Sequence, residues 1–250
     1  MKRNYKFTLS YDGTRFYGWE RQPNKDMTIQ GKIENVLARM VGKPEGEIVQ
    51  VIGAGRTDAG VHARAMTANA FLDTDMTEEE ILVYMNQYLP EDISINDVRI
   101  CAERFHSRFN AIGKTYRYTC YYGLTKPVFD RKYVTVLDKK PDIALMQEAS
   151  KYLIGTHDFK SFCGNNKMKK STVRCVDSIT IEENGPKIRF YFHGNGFLQN
   201  MVRILTGTLL EVGYGNIKPE EVKTILESLN RQNAGPTAPP QGLCLMKVDY

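Results

Sequence analysis

The order in which strand and helix signals follow one another over the first hundred residues limits the possible folds most strongly. The predicted elements, in chain order, are a strand at 5–11, a helix capped by Thr28, strands at 48–52 and 61–72, a helix opened by a capping box of Thr77 and Glu80, and a strand at 93–101. This βαββαβ order is the ferredoxin-like unit.

The second half of the chain repeats the order with longer insertions. Its predicted elements are a strand at 115–122, a helix at 142–154, strands at 173–181 and 188–193 joined by the turn Glu183-Asn-Gly-Pro186, helices at 197–212 and 219–229, and a strand at 243–248. No residue string is repeated, so the duplication is one of topology. We therefore predict an α+β fold of two ferredoxin-like (RRM-like) halves with mostly antiparallel sheets, divided into domains 1–107 and 108–250.

A polar, glycine-rich insert separates the two apolar runs at 48–52 and 61–72. It reads Gly53-Ala-Gly-Arg-Thr-Asp-Ala-Gly60, and Asp58 is the only carboxylate between Glu47 and Asp73. Small residues let another backbone or a ligand approach closely. If the backbone is extended there, Arg56 leaves the same face as Asp58. The insert fits either a reactive carboxylate or a tight turn in which the aspartate bonds its own backbone.

Known phosphate-binding and metal-binding patterns do not occur. The glycines of the insert match neither the dinucleotide-binding motif nor the P-loop. The five cysteines include no C-x-x-C pair and the four histidines are scattered, so no metal site is expected. The start of the chain has no apolar signal region and no run is long enough to span a membrane, which predicts a cytoplasmic protein.

Positive charge is concentrated in two segments, although the net charge is only +5. Residues 159–176 contain five basic residues and no acid, and residues 104–122 interleave four basic residues with six aromatic ones. Such interleaving suits an RNA-binding face, because cations meet phosphates and rings meet bases. The alternative is a strand whose aromatic rings fill the core while its basic groups stay in water.

The predicted helix at 197–212 carries one arginine whose orientation is ambiguous. On a helical wheel Arg203 lies on the polar side, next to Gln199, Asn200, Thr206 and Gly207. That position favours an arginine facing solvent. The proline-rich stretch at 234–242 follows later and fits either a functional loop or a connector.

Together these segments resemble the TruA family of tRNA pseudouridine synthases over nearly the whole chain. The resemblance rests on Tyr11-Asp-Gly-Thr-Arg-Phe-Tyr-Gly-Trp-Glu-Arg-Gln22, Gly53-Ala-Gly-Arg-Thr-Asp-Ala-Gly-Val-His-Ala63, Phe105-His-Ser-Arg-Phe-Asn-Ala111 with Lys114-Thr-Tyr-Arg-Tyr118, Phe197-Leu-Gln-Asn-Met-Val-Arg203 and Thr237-Ala-Pro-Pro-Gln-Gly-Leu243. The third of these is similar to the central strand of the family. The resemblance implies conversion of uridine to pseudouridine at positions 38, 39 and 40 of tRNA, without a cofactor or catalytic metal.

The resemblance also assigns site residues. Asp58 corresponds to the essential carboxylate, Tyr116 to the tyrosine that stacks on the target base, and Arg203 to the arginine that pairs with the carboxylate. Arg56 corresponds to the residue that takes the space of the flipped nucleotide, and Leu243 to the apolar wall of the pocket. Here the resemblance is preferred to the helical wheel, because an ion pair would keep Asp58 ionised in a partly dry site.

The family's architecture implies two further expectations. The two sheets join across a central active-site cleft, and a homodimer binds tRNA. Two alternatives stay open, a pseudouridine synthase with another RNA target and a non-enzymatic RNA-binding protein. The sequence contains no RNP1 motif, the signature of RRM-type RNA-binding domains, and this counts against the second alternative.

Overall fold

The computed structural model describes residues 1–250 and divides them into two compact units. The first unit contains Met1–Ala111 and the last six residues, Leu245–Tyr250, and the second contains Ile112–Cys244. The sequence placed the domain boundary at 107/108 and assigned the C-terminus to the second domain. None of the five α-helices is long and apolar enough to cross a membrane.

Residues 1–111 of the first unit form four strands and two helices. They are β1 (Lys2–Tyr11), α1 (Ile29–Met40), β2 (Ile52–Gly53), β3 (His62–Asp73), α2 (Glu78–Tyr88) and β4 (Ile93–Ile100). Strand β1 lies between β4 and β3, β2 pairs with β3, and every pair is antiparallel. Alternate residues of β1 and the apolar stripe of α1 are both buried, so the strand and helix periods predicted from the sequence each give an inward-facing side.

Both helices of this unit begin where their capping residues predict. The Thr28 side chain accepts a hydrogen bond from the Gly31 N–H. At α2 the reciprocal capping box of Thr77 and Glu80 is complete. A cap of this kind contributes about 1 kcal/mol to helix stability, which is why such short signals fix the first turn reliably.

The strand predicted at 48–52 is mostly wrong, because β2 contains only Ile52 and Gly53. The backbone of Val51 bonds to side chains of α1 instead of to a strand. Its N–H donates to Glu34 Oε1 at 3.1 Å, and its carbonyl accepts from Gln30 Nε2 at 2.9 Å. Burial raises the pKa of the Glu34 carboxyl, while the bond from Val51 acts in the opposite direction.

The second unit combines a larger set of strands with three helices. They are β5 (Gly113–Tyr121), β6 (Thr135–Val136), α3 (Ile143–Ser150), β7 (Gly155–Asp158), β8 (Val173–Asn184), β9 (Lys187–Gly194), α4 (Met201–Gly213) and α5 (Glu221–Glu227). The last strand, β10 (Leu243–Asp249), begins here and ends in the first unit. The strand order is β5-β9-β8-β7, antiparallel throughout, with β6 parallel to β5.

Helix α4 starts four residues later than the sequence predicted. Asn200, directly before it, has a φ of 58° and lies in the left-handed region, so 197–200 cannot continue the helix backwards. Asparagine adopts this conformation more readily than most residues. The apolar pattern at 197–200 therefore belongs to the approach to the helix and not to its first turn.

Both units are mixed α and β with mostly antiparallel strand pairs, as predicted. The element order of the first unit is β-α-β-β-α-β. The second unit adds the short strands β6 and β7, which the sequence analysis missed. Each pairs over four residues or fewer, too short for a period-two pattern to be visible.

Candidate active site

Asp58 lies in the loop that connects β2 to β3, and its side chain is half-buried. The loop turns back at Gly60, whose φ of 77° lies in the left-handed region. The Asp58 carbonyl accepts a hydrogen bond from the Val61 N–H at 3.2 Å. The backbone around Asp58 thus forms a compact reversal between two strands, which agrees with the tight turn, one of the two alternatives that the sequence left open.

The segment after β1 fixes this reversal by hydrogen bonds on both sides of Asp58. The Trp19 N–H donates to the Thr57 carbonyl at 3.0 Å, and the Gly60 N–H donates to the Phe16 carbonyl at 3.3 Å. The hydroxyls of Tyr11 and Thr57 are also bonded, at 2.8 Å. A side chain on a backbone held in this way needs little reorganisation before it acts.

Two glycines allow this close approach. A Cβ on Gly18 would lie 2.6 Å from the Thr57 carbonyl oxygen, and one on Gly13 would lie 2.0 Å from the Val61 carbonyl oxygen. The Gly13 N–H donates to His62 Nδ1 at 3.0 Å, and the same ring nitrogen lies 3.2 Å from Asp12 Oδ1. Gly13, Gly18 and His62 were not among the predicted site residues, although the two glycines lie in the loop after β1 and His62 lies four residues after Asp58.

We expect Gly18→Ala to destabilise the protein by about 2 kcal/mol or more, because the new methyl group meets a fixed carbonyl and a φ of 99° must be kept. Gly42→Ala is the matched control. Gly42 has a φ of 67° but nothing within 4 Å of its would-be Cβ, so it tests the backbone strain alone, about 1 kcal/mol. Urea unfolding of both variants measures the difference. Equal losses would contradict the close approach at Thr57.

Arg56 lies in the same loop but is exposed, and the backbone there is not an extended strand. Its guanidinium pairs with Glu20 at 2.6 Å, and both side chains are about half exposed. An exposed pair of this kind contributes little to stability. Residues 56–58 belong to no strand, so the expectation that Arg56 and Asp58 leave the same face stays a prediction.

The other three predicted site residues lie in the second unit. Tyr116 is buried in β5, and its ring meets the Phe197 ring edge-on at 5.3 Å and 84°. Leu243 is buried at the start of β10. Arg203 is half-buried on α4. The structure thus groups Asp58 and Arg56 in the first unit and the remaining three in the second.

The solvent-facing orientation of Arg203 favoured by the helical wheel is wrong. Arg203 Nε donates to the Ala238 carbonyl at 2.7 Å, and the Ala238 N–H donates back to the Arg203 carbonyl at 3.1 Å. Thr206 and Gly207 on the same side are fully buried, and a Cβ on Gly207 would lie 1.9 Å from the Pro236 carbonyl oxygen. The polar side of α4 is therefore covered by the proline-rich loop.

Three further side chains fix that loop, which we define as residues 234–242. Arg231 donates to the carbonyls of residues 234 and 235 and to the Thr237 hydroxyl. The Tyr118 hydroxyl donates to the Pro239 carbonyl at 2.7 Å, and burial raises the pKa of Tyr118. The Thr208 hydroxyl accepts from the Gly235 N–H at 2.9 Å. The loop is rigidly held, unlike a simple connector.

The two basic segments differ in how they are exposed. In 104–122 the strand aromatics Tyr116, Tyr118 and Tyr121 are buried, as the core alternative predicted, whereas Phe109 is exposed. Residues 104–110 lie in turns, and the strand predicted at 115–122 begins two residues earlier, at Gly113. In 159–176 the four lysines are exposed, which fits a surface for phosphates; they are Lys160, Lys167, Lys169 and Lys170. No cluster of three His, Cys, Asp or Glu side chains suited to a metal is present.

Comparison with known proteins identifies the family. A family model described as tRNA pseudouridine synthase matches residues 8–110 and 149–250. The tRNA pseudouridine synthase A of Bacillus sp. (strain KSM-64) is 46% identical over 247 residues, covering 99% of each chain. That of Clostridium acetobutylicum is 45% identical over 249 residues, covering 99% of this chain and 100% of the other.

A solved chain from a Cbf5-Nop10-Gar1 complex aligns with 97% of this chain and 49% of its own length, at 10% identity and a TM-score of 0.38, which is too distant to support any conclusion. The family model includes the positions of Asp58, Arg56, Arg203 and Leu243, while Tyr116 falls between its two matched ranges. The relatives align along their full length. The chain belongs to the tRNA pseudouridine synthase family.

Proposed function

We propose that this protein isomerises uridine to pseudouridine at positions 38, 39 and 40 in the anticodon stem-loop of tRNA. The observation that carries the proposal is Asp58, the lone carboxylate of its loop, on a backbone fixed by hydrogen bonds at Thr57 and Gly60. The family and its full-length relatives supply the reaction, and the resemblance to the TruA family supplies the positions.

The proposed reaction exchanges one bond at ribose C1′ for another. The N1–C1′ bond breaks, the uracil rotates, and the C5–C1′ bond forms; C5 then loses its proton and N1 gains one. Atoms and electrons balance without an oxidant or reductant. Asp58 could add to the ring, bond to the sugar, or remove a sugar proton to give a glycal, and each role needs an ionised carboxylate.

The remaining residues are proposed to bind the flipped nucleotide. Tyr116 stacks on the target uracil, Leu243 forms the apolar wall, and Arg56 takes the space that the nucleotide leaves. Flipping a base costs a few kcal/mol of unstacking, which stacking and the inserted side chain offset. The exposed position of Arg56 and the rigid setting of Tyr116 against Phe197 support these roles. Arg203 is proposed as the arginine that pairs with the catalytic carboxylate.

We further propose that domains 1–107 and 108–250 are the two ferredoxin-like halves of each chain. The protein is proposed to be a cytoplasmic homodimer. The first half supports this with its βαββαβ order and with β1 between β4 and β3. The second half supports it with β5, α3, β8, β9, α4 and β10 in the same succession. The dimer rests on the resemblance, and the location rests on the five free cysteines, which fit a reducing compartment.

The decisive experiment maps pseudouridine in tRNA from a strain that lacks the gene. We expect loss at positions 38–40 and its return when the wild-type gene is supplied. Unchanged modification at 38–40 with loss at another site would favour the alternative of a different RNA target. A purified protein that binds tRNA but releases no tritium from 5-³H-uridine tRNA would favour the non-enzymatic alternative.

The exposed lysines of 159–176 predict a salt-dependent affinity for tRNA. Each phosphate contact should lower log K by about 0.7–0.9 per decade of salt. Replacing Lys169 and Lys170 with alanine should weaken binding and reduce the slope by about one to two. The rate of a single turnover at saturating enzyme should not change.

Lys218→Ala with Lys223→Ala is the matched control for the lysine pair. Both residues are exposed, the change in net charge is the same, and acidic residues surround them in the sequence. Binding isotherms over a range of salt concentrations compare the two double variants. An equal loss of affinity in both would show that net charge alone acts, and that 159–176 is not a phosphate-binding surface.

A further inference from the structure

Phe109 is the exposed aromatic residue of an ordered turn in the first unit. Its side chain is 80% exposed, yet its ring stacks on the His106 ring with centroids 4.1 Å apart and planes 26° apart. One face of the Phe109 ring therefore rests on His106, and the other face is open to solvent.

Hydrogen bonds within the turn fix the His106 ring under Phe109. The N–H groups of Arg108 and Phe109 both donate to His106 Nδ1, each at 3.2 Å. Nδ1 is therefore an acceptor and the ring hydrogen is on Nε2. The turn closes through Asn110, whose Oδ1 accepts from the His106 N–H at 2.8 Å and whose N–H donates to the His106 carbonyl at 3.0 Å.

A buried polar network attaches this turn to the core. Ser107 is fully buried, and both its N–H and its hydroxyl donate to Asn69 Oδ1 at 2.8 Å. Asn69 Nδ2 donates to Asn4 Oδ1 at 3.0 Å, and the Tyr250 hydroxyl donates to the Ser107 carbonyl at 2.7 Å. The fold thus holds an aromatic ring rigidly in water, where it adds nothing to the core.

The charge around the ring matches a nucleic acid. Residues 104–110 include the exposed Arg104 and Arg108 and no acid. An open aromatic face beside cations is the combination that binds an unpaired base and its phosphate. We propose that the Phe109–His106 pair is a stacking site for an unpaired nucleobase of the tRNA substrate, outside the residues assigned to the target uridine. This inference rests on the proposed function.

The first test compares tRNA binding by Phe109→Ala and by the control Phe129→Ala, whose ring is 95% exposed. We expect Phe109→Ala to weaken binding about tenfold or more, with an unchanged salt slope, because stacking releases no counterions. Arg108→Ala should instead lower the slope by about one. Both phenylalanine variants should keep the wild-type unfolding midpoint. Wild-type affinity in Phe109→Ala would overturn the proposal.

The second test uses Phe109→Trp, which keeps a stacking ring. We expect near-wild-type affinity, and quenching of the new tryptophan fluorescence when tRNA is added. The native Trp19 is 3% exposed, and the wild type and Phe129→Trp measure its own response to tRNA. An unquenched Phe109→Trp bound to tRNA would show that no base stacks there.

Further outcomes distinguish base stacking from a contact between two copies of the chain and from the reaction itself. Phe109→Ala could halve the molar mass of the protein in light scattering while the monomer keeps its affinity for tRNA. In that case the ring contacts a second copy of the chain, and the proposal is overturned. If the wild type stacks tRNA at Phe109 but forms no pseudouridine, the proposed function fails and the stacking site stands. If pseudouridine forms and Phe109 does not affect affinity, only the stacking site fails.

Discussion

Asp58→Asn should abolish pseudouridine formation while leaving folding and tRNA binding intact. The substitution keeps the size of the side chain and removes the charge that a nucleophile or base requires. We expect tritium release from 5-³H-uridine tRNA to fall by on the order of a thousandfold or more. The loop's hydrogen bonds to Thr57 and Gly60 are made by backbone groups and by the Thr57 hydroxyl, so asparagine should not disturb them.

Asp75→Asn is the matched control for this prediction. Asp75 is an exposed carboxylate of the same unit, between β3 and α2, and its replacement changes the net charge by the same amount. It should keep the wild-type rate and a stability within about 0.5 kcal/mol. Single-turnover assays with saturating enzyme separate rate from binding. Measurable turnover by Asp58→Asn would remove this residue from the catalytic role.

Local signals accounted for much of the fold. The caps at Thr28 and Thr77 depend on residues three positions apart, so the sequence alone shows where the two helices begin. The Asp58 loop was also predictable, because its small residues and single carboxylate lie within eight positions. These features need no knowledge of distant contacts.

What the sequence could not show depends on distant partners. Val51 is not part of a strand, because the side chains of Gln30 and Glu34, 21 and 17 residues away in the sequence, form hydrogen bonds with its backbone. The polar side of α4 is buried because the loop at 234–242 covers it, and a helical wheel counts only the residues of the helix. A period in the sequence distinguishes polar from apolar faces, but it does not reveal which polar face another loop will cover.

Arg203→Ala should lower the single-turnover rate by about a hundredfold, or about 2.7 kcal/mol of activation free energy. If Arg203 pairs with the catalytic carboxylate, its loss leaves that charge without its cation. A carboxylate without its cation in a partly buried site is protonated more easily. The acidic limb of the pH–rate profile should therefore move to higher pH, and activity should fall by much more than tRNA affinity.

The structure adds a second role that the experiment must separate from the first. Arg203 also anchors the loop at Ala238, so Arg203→Ala should lose stability through that bond. Arg231→Ala is the matched control, because Arg231 anchors the same loop through three hydrogen bonds. It should cost about 1–2 kcal/mol in stability. Its rate should stay within about threefold of wild type, with an unmoved acidic limb.

Arg203→Lys completes the series, because lysine keeps the charge but loses the planar fork. If charge acts on the carboxylate, this variant should return the acidic limb towards its wild-type position while restoring the rate only in part. If anchoring of the loop is the whole role, Arg203→Ala and Arg231→Ala should lose rate alike, and neither profile should move along the pH axis. Near-wild-type rates in Arg203→Ala across the acidic limb would show that this arginine serves the loop and not the chemistry.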